Sequence, residues 1–185
     1  MSSRNRVLLM AALLGLSTSL LAQTYQIGRK TTEAQIAPWV IDAFPSGAGL
    51  PAGKGTVGEG RKLYETRCAA CHGMKGEGTL ADRLVGGMDT LKSGRPVKTV
   101  GSYWPYATTL YDYVNRAMPY DSPQSFTPNE VYSVVAYVLH MNGIVGADAT
   151  LDAATLPKVK MPNSAGFTTD PRPDVSNIPC TRDCK

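Results

Sequence analysis

Several things are scarce in this chain of 185 residues, and each scarcity removes a class of function. No run of Lys and Arg occurs, and no basic stripe recurs at helical spacing, so a nucleic-acid partner is excluded. No alternation of apolar and polar residues is long enough for a sheet, and no internal repeat is present. Histidines number only two, His72 and His140, and cysteines only four, Cys68, Cys71, Cys180 and Cys184. The apolar run from Val7 to Leu16 is too short for a comfortable membrane span.

That run reads instead as the centre of a secretory signal. Arg4 and Arg6 precede it, and Ala22 ends it before a polar stretch, so cleavage is expected after Ala22 and the mature protein is periplasmic with no membrane span. Leu20 departs from the small residue usual three positions before a cut, which keeps an uncleaved anchor as the alternative. The segment holds two of the 19 basic residues and none of the 15 acidic ones, so the mature chain retains a small positive excess. In an oxidising compartment Cys180 and Cys184 read as a local disulfide. It closes a very small loop and contributes little to global stability.

Residues 23–56 are rich in Gly, Pro and Thr and read as an extended arm, with Trp39, Val40 and Ile41 as an apolar anchor against the core. A helix is expected from Thr56 or Val57, with Gly60, Tyr64 and Cys68 on one face and Gly60 admitting a second helix at close range. Residues 73–101 read as an irregular loop with a turn at Leu80 to Leu84. Pro105 is placed to open a further helix, continued by Leu110, Tyr113, Val114 and Ala117 and ended by Met118-Pro119. The clearest helix starts at Thr127-Pro128-Asn129-Glu130, a capping box with Pro in the first turn. Its apolar face is Val131, Val134, Val135, Val138 and Leu139, and Asn142-Gly143 supplies the stop. Residues 146–185 are poor in periodicity and read as a second arm that wraps the domain or docks on a partner.

Cys68-Ala69-Ala70-Cys71-His72 carries the chemistry. It is C-x-x-C-H, the signature of one covalently attached haem c, in which two thiols become thioethers and the histidine ligates iron. A thioredoxin-like dithiol needs a preceding strand that is not visible here. A four-cysteine zinc site would have to use the loosely spaced Cys180 and Cys184. For the opposite face of the iron, His140 reads as a residue near a helix C-terminus. Among methionines, Met74 is too near His72 to reach over, Met141 sits in the last helix, Met88 in the loop and Met161 in the tail. Met118 is therefore the expected sixth ligand, with gap-filling in the core as its bland alternative. A thioether on iron raises the reduction potential, and a closed iron carries electrons without binding substrate.

With these residues in place the chain resembles a monohaem class I cytochrome c, an all-α fold, here with extended N- and C-terminal arms. In that family a Gly and an aromatic on the first helix meet an aromatic on the last, and Gly60, Tyr64 and Tyr137 match. A narrower resemblance rests on Ile27-Gly28-Arg29, Gly49-Leu50-Pro51, Thr99 to Thr109, Arg116-Ala117-Met118-Pro119 and Met161-Pro162-Asn163. These are similar to the cytochrome subunits of periplasmic sulfur-compound dehydrogenases, the Sox sulfur dehydrogenase and sulfite dehydrogenase cytochromes. The resemblance implies a molybdenum-containing dehydrogenase subunit as electron donor and a downstream cytochrome or terminal oxidase as acceptor. The chain itself then performs no catalysis. A free-standing periplasmic carrier serving several donors is the alternative.

The resemblance also frames three expectations about layout and support. The cytochrome domain is expected over residues 57–145, between arms at 23–56 and 146–185. Many class I cytochromes place a proline carbonyl against the proximal histidine, but the matching position near Asp82 has no proline, which leaves that acceptor open. Trp104 is a candidate to bond a haem propionate, with aromatic packing beside Pro105 as its structural alternative.

Overall fold

The computed structural model describes residues 28–170. The expected signal segment and the Cys180–Cys184 pair lie outside the described residues. The chain divides into two units, one ending at Trp39 and one beginning at Val40. In the first, α1 (Glu33–Ile36) is a single turn whose entry is closed by the Thr32 N–H donating to Gln35 Oε1 at 3.1 Å, and a 3₁₀ turn, Ala37–Trp39, follows. Of the expected apolar anchor, Ile41 is half-buried. Trp39 is 82% exposed and Val40 58% exposed, because one helical turn followed by Pro38 is too short to build a buried face.

In the second unit the anchoring falls later, on Ala43 and Leu50, which pack against the core. Chain reversal there uses Gly47 and Gly49 at positive φ. A side chain at Gly49 would collide with the Asp42 carbonyl, so only glycine fits the turn. Next come β1 (Lys54–Thr56) and α2 (Val57–Arg67), then the single turn α3 (Ala69–His72), α4 (Ala107–Ala117) and α5 (Pro128–Met141). The chain returns through β2 (Thr150–Asp152) and a 3₁₀ turn at Leu156–Lys158. The architecture is helical, as expected. It adds a short antiparallel pair in which Gly55 faces Leu151. Three-residue strands are too short to leave a period-two signal, which is why the sequence showed none.

Helices α2 and α5 start where the sequence places them. Thr56 caps α2 by accepting from the Glu59 N–H, and Thr127 caps α5 by accepting from the Glu130 N–H, each glutamate bonding back to the cap's own N–H. Helix α4 starts at Ala107, two residues after Pro105, and its buried face is Ala107, Leu110, Tyr111 and Val114. Tyr113 is exposed and belongs to the other side. In α5 the expected apolar face is buried, and Tyr132, Ser133 and Ala136 are buried with it, so this helix is enclosed on nearly all sides. Burial of each such valine or leucine is worth roughly 1.5–3 kcal/mol as an upper figure.

Helix α2 crosses α5 at Gly60. A Cβ there would run into the Ser133 carbonyl and the Tyr137 Cβ. One turn on, the rings of Tyr64 and Tyr137 meet at 5.4 Å with a 59° tilt. The Gly–aromatic crossing that the family resemblance implies is thus the packing centre. The C-terminal segment through residue 170 wraps the unit, burying Leu151, Leu156 and Met161 in the same core. Asn163 Nδ2 donates to the Tyr103 carbonyl at 2.7 Å, and Phe167 meets the Tyr103 ring edge-on at 5.2 Å.

Candidate functional site

The end of α2 and the turn α3 present Cys68, Cys71 and His72 together. Cys68 caps α2, and its carbonyl accepts from the N–H groups of Cys71 (3.1 Å) and His72 (2.9 Å), which closes the turn. The buried Tyr64 hydroxyl donates to the Gly73 carbonyl at 2.9 Å, locking the exit of that turn to α2. Burial holds this phenol above its ordinary pKa range, so it stays protonated as a donor. Tyr64→Phe leaves the Gly73 carbonyl without its partner, and a loss of about 1–2 kcal/mol is expected in urea denaturation of the holoprotein.

After Gly73 the chain folds back over the motif. Gly78 N–H bonds the His72 carbonyl at 2.7 Å and Ala81 N–H bonds the Cys71 carbonyl at 2.9 Å. Positive φ at Gly73, Gly76 and Gly78 makes this tight return possible. The return sets the Asp82 carbonyl 2.7 Å from His72 Nδ1. A carbonyl can only accept, so Nδ1 carries the proton and Nε2 keeps its lone pair for a metal. The acceptor left open in the sequence is therefore a main-chain carbonyl at the family's proline position, supplied by aspartate. Because it is a backbone atom, no side-chain pattern could announce it.

The loop that continues to α4 is built rather than loose. Ser102 Oγ donates to the Val97 carbonyl at 2.7 Å, Thr99 N–H donates to Ser102 Oγ at 2.9 Å, and Thr99 Oγ1 donates to the Gly86 carbonyl at 2.7 Å. Asn142, the C-cap of α5, donates from Nδ2 to the Leu84 carbonyl at 3.1 Å and ties the loop to the last helix. These polar groups satisfy one another inside the protein, as burial requires.

Met118 is the C-cap of α4, half-buried against the core, on a separate element from the C-x-x-C-H turn. Of the other methionines, Met161 is 2% exposed within the core. His140 is half-buried, and its Nδ1 lies 3.1 Å from the Val145 carbonyl, which occupies it at the helix end. Trp104 meets the Tyr113 ring edge-on at 5.7 Å, and its indole N–H makes no hydrogen bond among the described residues.

The donors fit a haem better than they fit the alternatives. Burial pushes the Cys68 thiol up to about 11, against a smaller lowering by Arg67, which is opposite to the activated thiolate of a disulfide exchanger. Among the described residues no cluster of three His, Cys, Asp or Glu side chains could hold a metal ion. Two thiols and an oriented imidazole on one turn, with the 87% exposed Leu80 in the segment returning over Cys71, suit an apolar macrocycle that brings its own iron.

The Cytochrome c family model matches residues 57–142. A chain in the crystal structure of the sulfane dehydrogenase SoxCD from Paracoccus pantotrophus is similar at 40% identity, with a TM-score of 0.75, covering 86% of this chain and 82% of that one. The chain belongs to the cytochrome c family. A comparison with curated proteins finds no match. As a cytochrome c it has the class I all-helical fold, carries covalently bound haem c for which Cys68 and Cys71 fit the C-x-x-C-H motif, and transfers electrons. Among the described residues no helix of this cytochrome is long and apolar enough to cross a membrane.

An ion cluster sits on the helix that leads to Met118. Arg116 donates to Asp42 at 2.7 Å and to both Asp112 oxygens at 2.9 and 3.2 Å, and Asp112 also accepts the Ala43 N–H at 2.9 Å. The i, i+4 spacing of Asp112 and Arg116 was the one available signal. Burial pushes the Asp112 carboxyl up, but the bonds from Arg116 and Ala43 outweigh it and leave it below the ordinary aspartate value. A lowered carboxyl stabilises the fold above the unfolded value near 3.8, and that contribution disappears as the pH falls through the folded value. Asp112→Asn is expected to flatten the acid limb of a stability–pH curve below about pH 4 and to lower stability at neutral pH.

Proposed function

We propose that this cytochrome c is the electron-transfer subunit of a sulfur-compound dehydrogenase in the periplasm. It takes electrons from a molybdenum-containing catalytic subunit and passes them to a downstream cytochrome or terminal oxidase. The observation that carries this reading is the 40% identity to a chain of a sulfane dehydrogenase across 86% of this one. That likeness extends well beyond residues 57–142, so the arms share in it as well as the haem-bearing part.

In this reading Cys68 and Cys71 would hold the haem through thioethers, and His72 and Met118 would be the residues that bind its iron. The haem supplies one-electron iron chemistry. The protein's own residues set its terms. Asp82 fixes the imidazole through Nδ1, which raises its basicity toward the metal. Met118, as a thioether, would favour the reduced state and leave no open position for an outside ligand. Trp104 has an indole N–H free of partners among the described residues, which suits it to a propionate.

The test is to purify the protein from its native cells under mild conditions. Co-elution with a molybdenum-containing subunit, and reduction of the haem when a sulfur substrate is added to the complex, is the expected result. Elution alone, with a haem that stays oxidised in the presence of sulfur substrates and cell extract, contradicts the reading.

A further inference from the structure

The Asp42–Arg116–Asp112 cluster has a specific position in the fold. Arg116 lies in the last turn of α4, two residues before Met118. Asp42 and Ala43 belong to the connecting segment before β1, 69 to 74 positions away in sequence. One guanidinium joins the two: Nη2 reaches Asp42 Oδ1 and Asp112 Oδ1, and Nε reaches Asp112 Oδ2. Asp112 Oδ1 also accepts the Ala43 N–H, so Asp42, Ala43, Asp112 and Arg116 form a closed ring of side-chain and backbone bonds. A single surface ion pair contributes little, but here a bifurcated arginine, two carboxylates and a main-chain N–H share one half-exposed site.

The far end of the same segment is pinned as well. The Pro51 carbonyl accepts the buried Tyr132 hydroxyl of α5 at 2.9 Å, and Ala43 and Leu50 pack on the core. Residues 42–51 thus form a strap between the C-terminal turn of α4 and the body of α5. Helix ends fray first, and the last turn of a helix has carbonyls with no partner within the helix. Met118 sits at such an end.

We propose that Arg116, with Asp42 and Asp112, is a positioning device that suppresses fraying of α4 and so keeps Met118 on the iron. The inference rests on Met118 as sixth ligand. The strap acts on how often the methionine leaves, so its signature is the access of an outside ligand to reduced iron. Its bonds go to none of Cys68, Cys71, His72 and Met118, and its hold on the helix end is read separately from its contribution to global stability.

The experiment measures carbon monoxide binding to the reduced holoprotein by rapid mixing, together with the red-edge absorption band of Met–iron ligation. Wild type, Arg116→Gln, Asp42→Asn and Thr127→Ala are compared, the last weakening the cap of α5 far from the strap in sequence. The expected result is a rate raised about tenfold in Arg116→Gln, the equivalent of about 1.4 kcal/mol in the opening equilibrium. A smaller rise follows in Asp42→Asn, and none in Thr127→Ala. In the two strap variants the red-edge band is lost on heating below the temperature of global unfolding. Rates in both strap variants equal to wild type, or raised equally in Thr127→Ala, overturn the strap while leaving Met118 as ligand. A wild type that lacks the band overturns the ligand assignment itself, and the strap with it. If Arg116→Gln does not fold, Asp42→Asn, which leaves the Asp112–Arg116 pair in place, decides.

Discussion

Replacing Met118 with alanine is expected to remove the red-edge absorption band of the oxidised protein, to lower its reduction potential, and to leave the haem covalently attached. Alanine offers no donor, so with Met118 as the proposed sixth ligand one face of the iron would open. The thioether favours the ferrous state relative to nitrogen or oxygen ligands, and axial-ligand identity spans roughly 0.8 V across haem proteins, so the shift is expected to be a readily measured part of that range. Attachment through Cys68 and Cys71 lies on the other segment of chain and is independent of residue 118. A potentiometric titration followed at the haem bands checks the first part, and a haem stain after denaturing electrophoresis checks the second. A variant that retains both the band and the wild-type potential would assign the sixth position to another residue.

The second large effect is expected at Gly60. Gly60→Val forces a branched side chain into the Ser133 carbonyl and the Tyr137 Cβ, at the point where α2 crosses α5. Neither neighbour can yield: one is helical backbone, and the other belongs to the aromatic pair with Tyr64. Overpacking of this kind costs about 1–3 kcal/mol, and the upper end is expected where helical backbone is the obstacle. Gly58 supplies the contrast within the same helix. A Cβ there meets nothing within 4 Å. Gly58→Ala is therefore expected to stabilise by about 0.5–1 kcal/mol through helix propensity alone. Urea denaturation of the two variants beside wild type reads the difference. Equal effects at the two positions would mean that the crossing is not the close contact described.

The difference between those two glycines shows what sequence could and could not reveal. Gly60 was legible because a small residue on the face of Tyr64 and Cys68 admits a second helix at close range, whereas Tyr137 as the partner came only from the family resemblance. Thr127 and Glu130 were legible because capping is local chemistry three residues apart. The attachment motif was legible because both sulfurs and the imidazole come from five consecutive residues. The Asp82 carbonyl was not, since any residue has one, and only the path of the loop decides which carbonyl faces His72. The exposure of Trp39 was not either. An apolar island in a Gly- and Pro-rich segment looks like an anchor, while the residues that do pack, Ala43 and Leu50, are less conspicuous. The short β1–β2 pair and the Asp42–Arg116 bond join positions remote in sequence, where periodicity carries no information. Asp112–Arg116 stood at helical spacing, but such pairs are common on exposed faces.

We propose that this haem c is closed on both sides, by His72 and Met118, and so moves electrons without binding substrate at the iron. The most direct test is to add carbon monoxide to the reduced wild-type holoprotein at neutral pH and follow the haem spectrum. The account predicts a spectrum unchanged on mixing, with any adduct forming only slowly as Met118 leaves the iron. Immediate formation of a carbon monoxide adduct would contradict it and make this an open-iron haem protein.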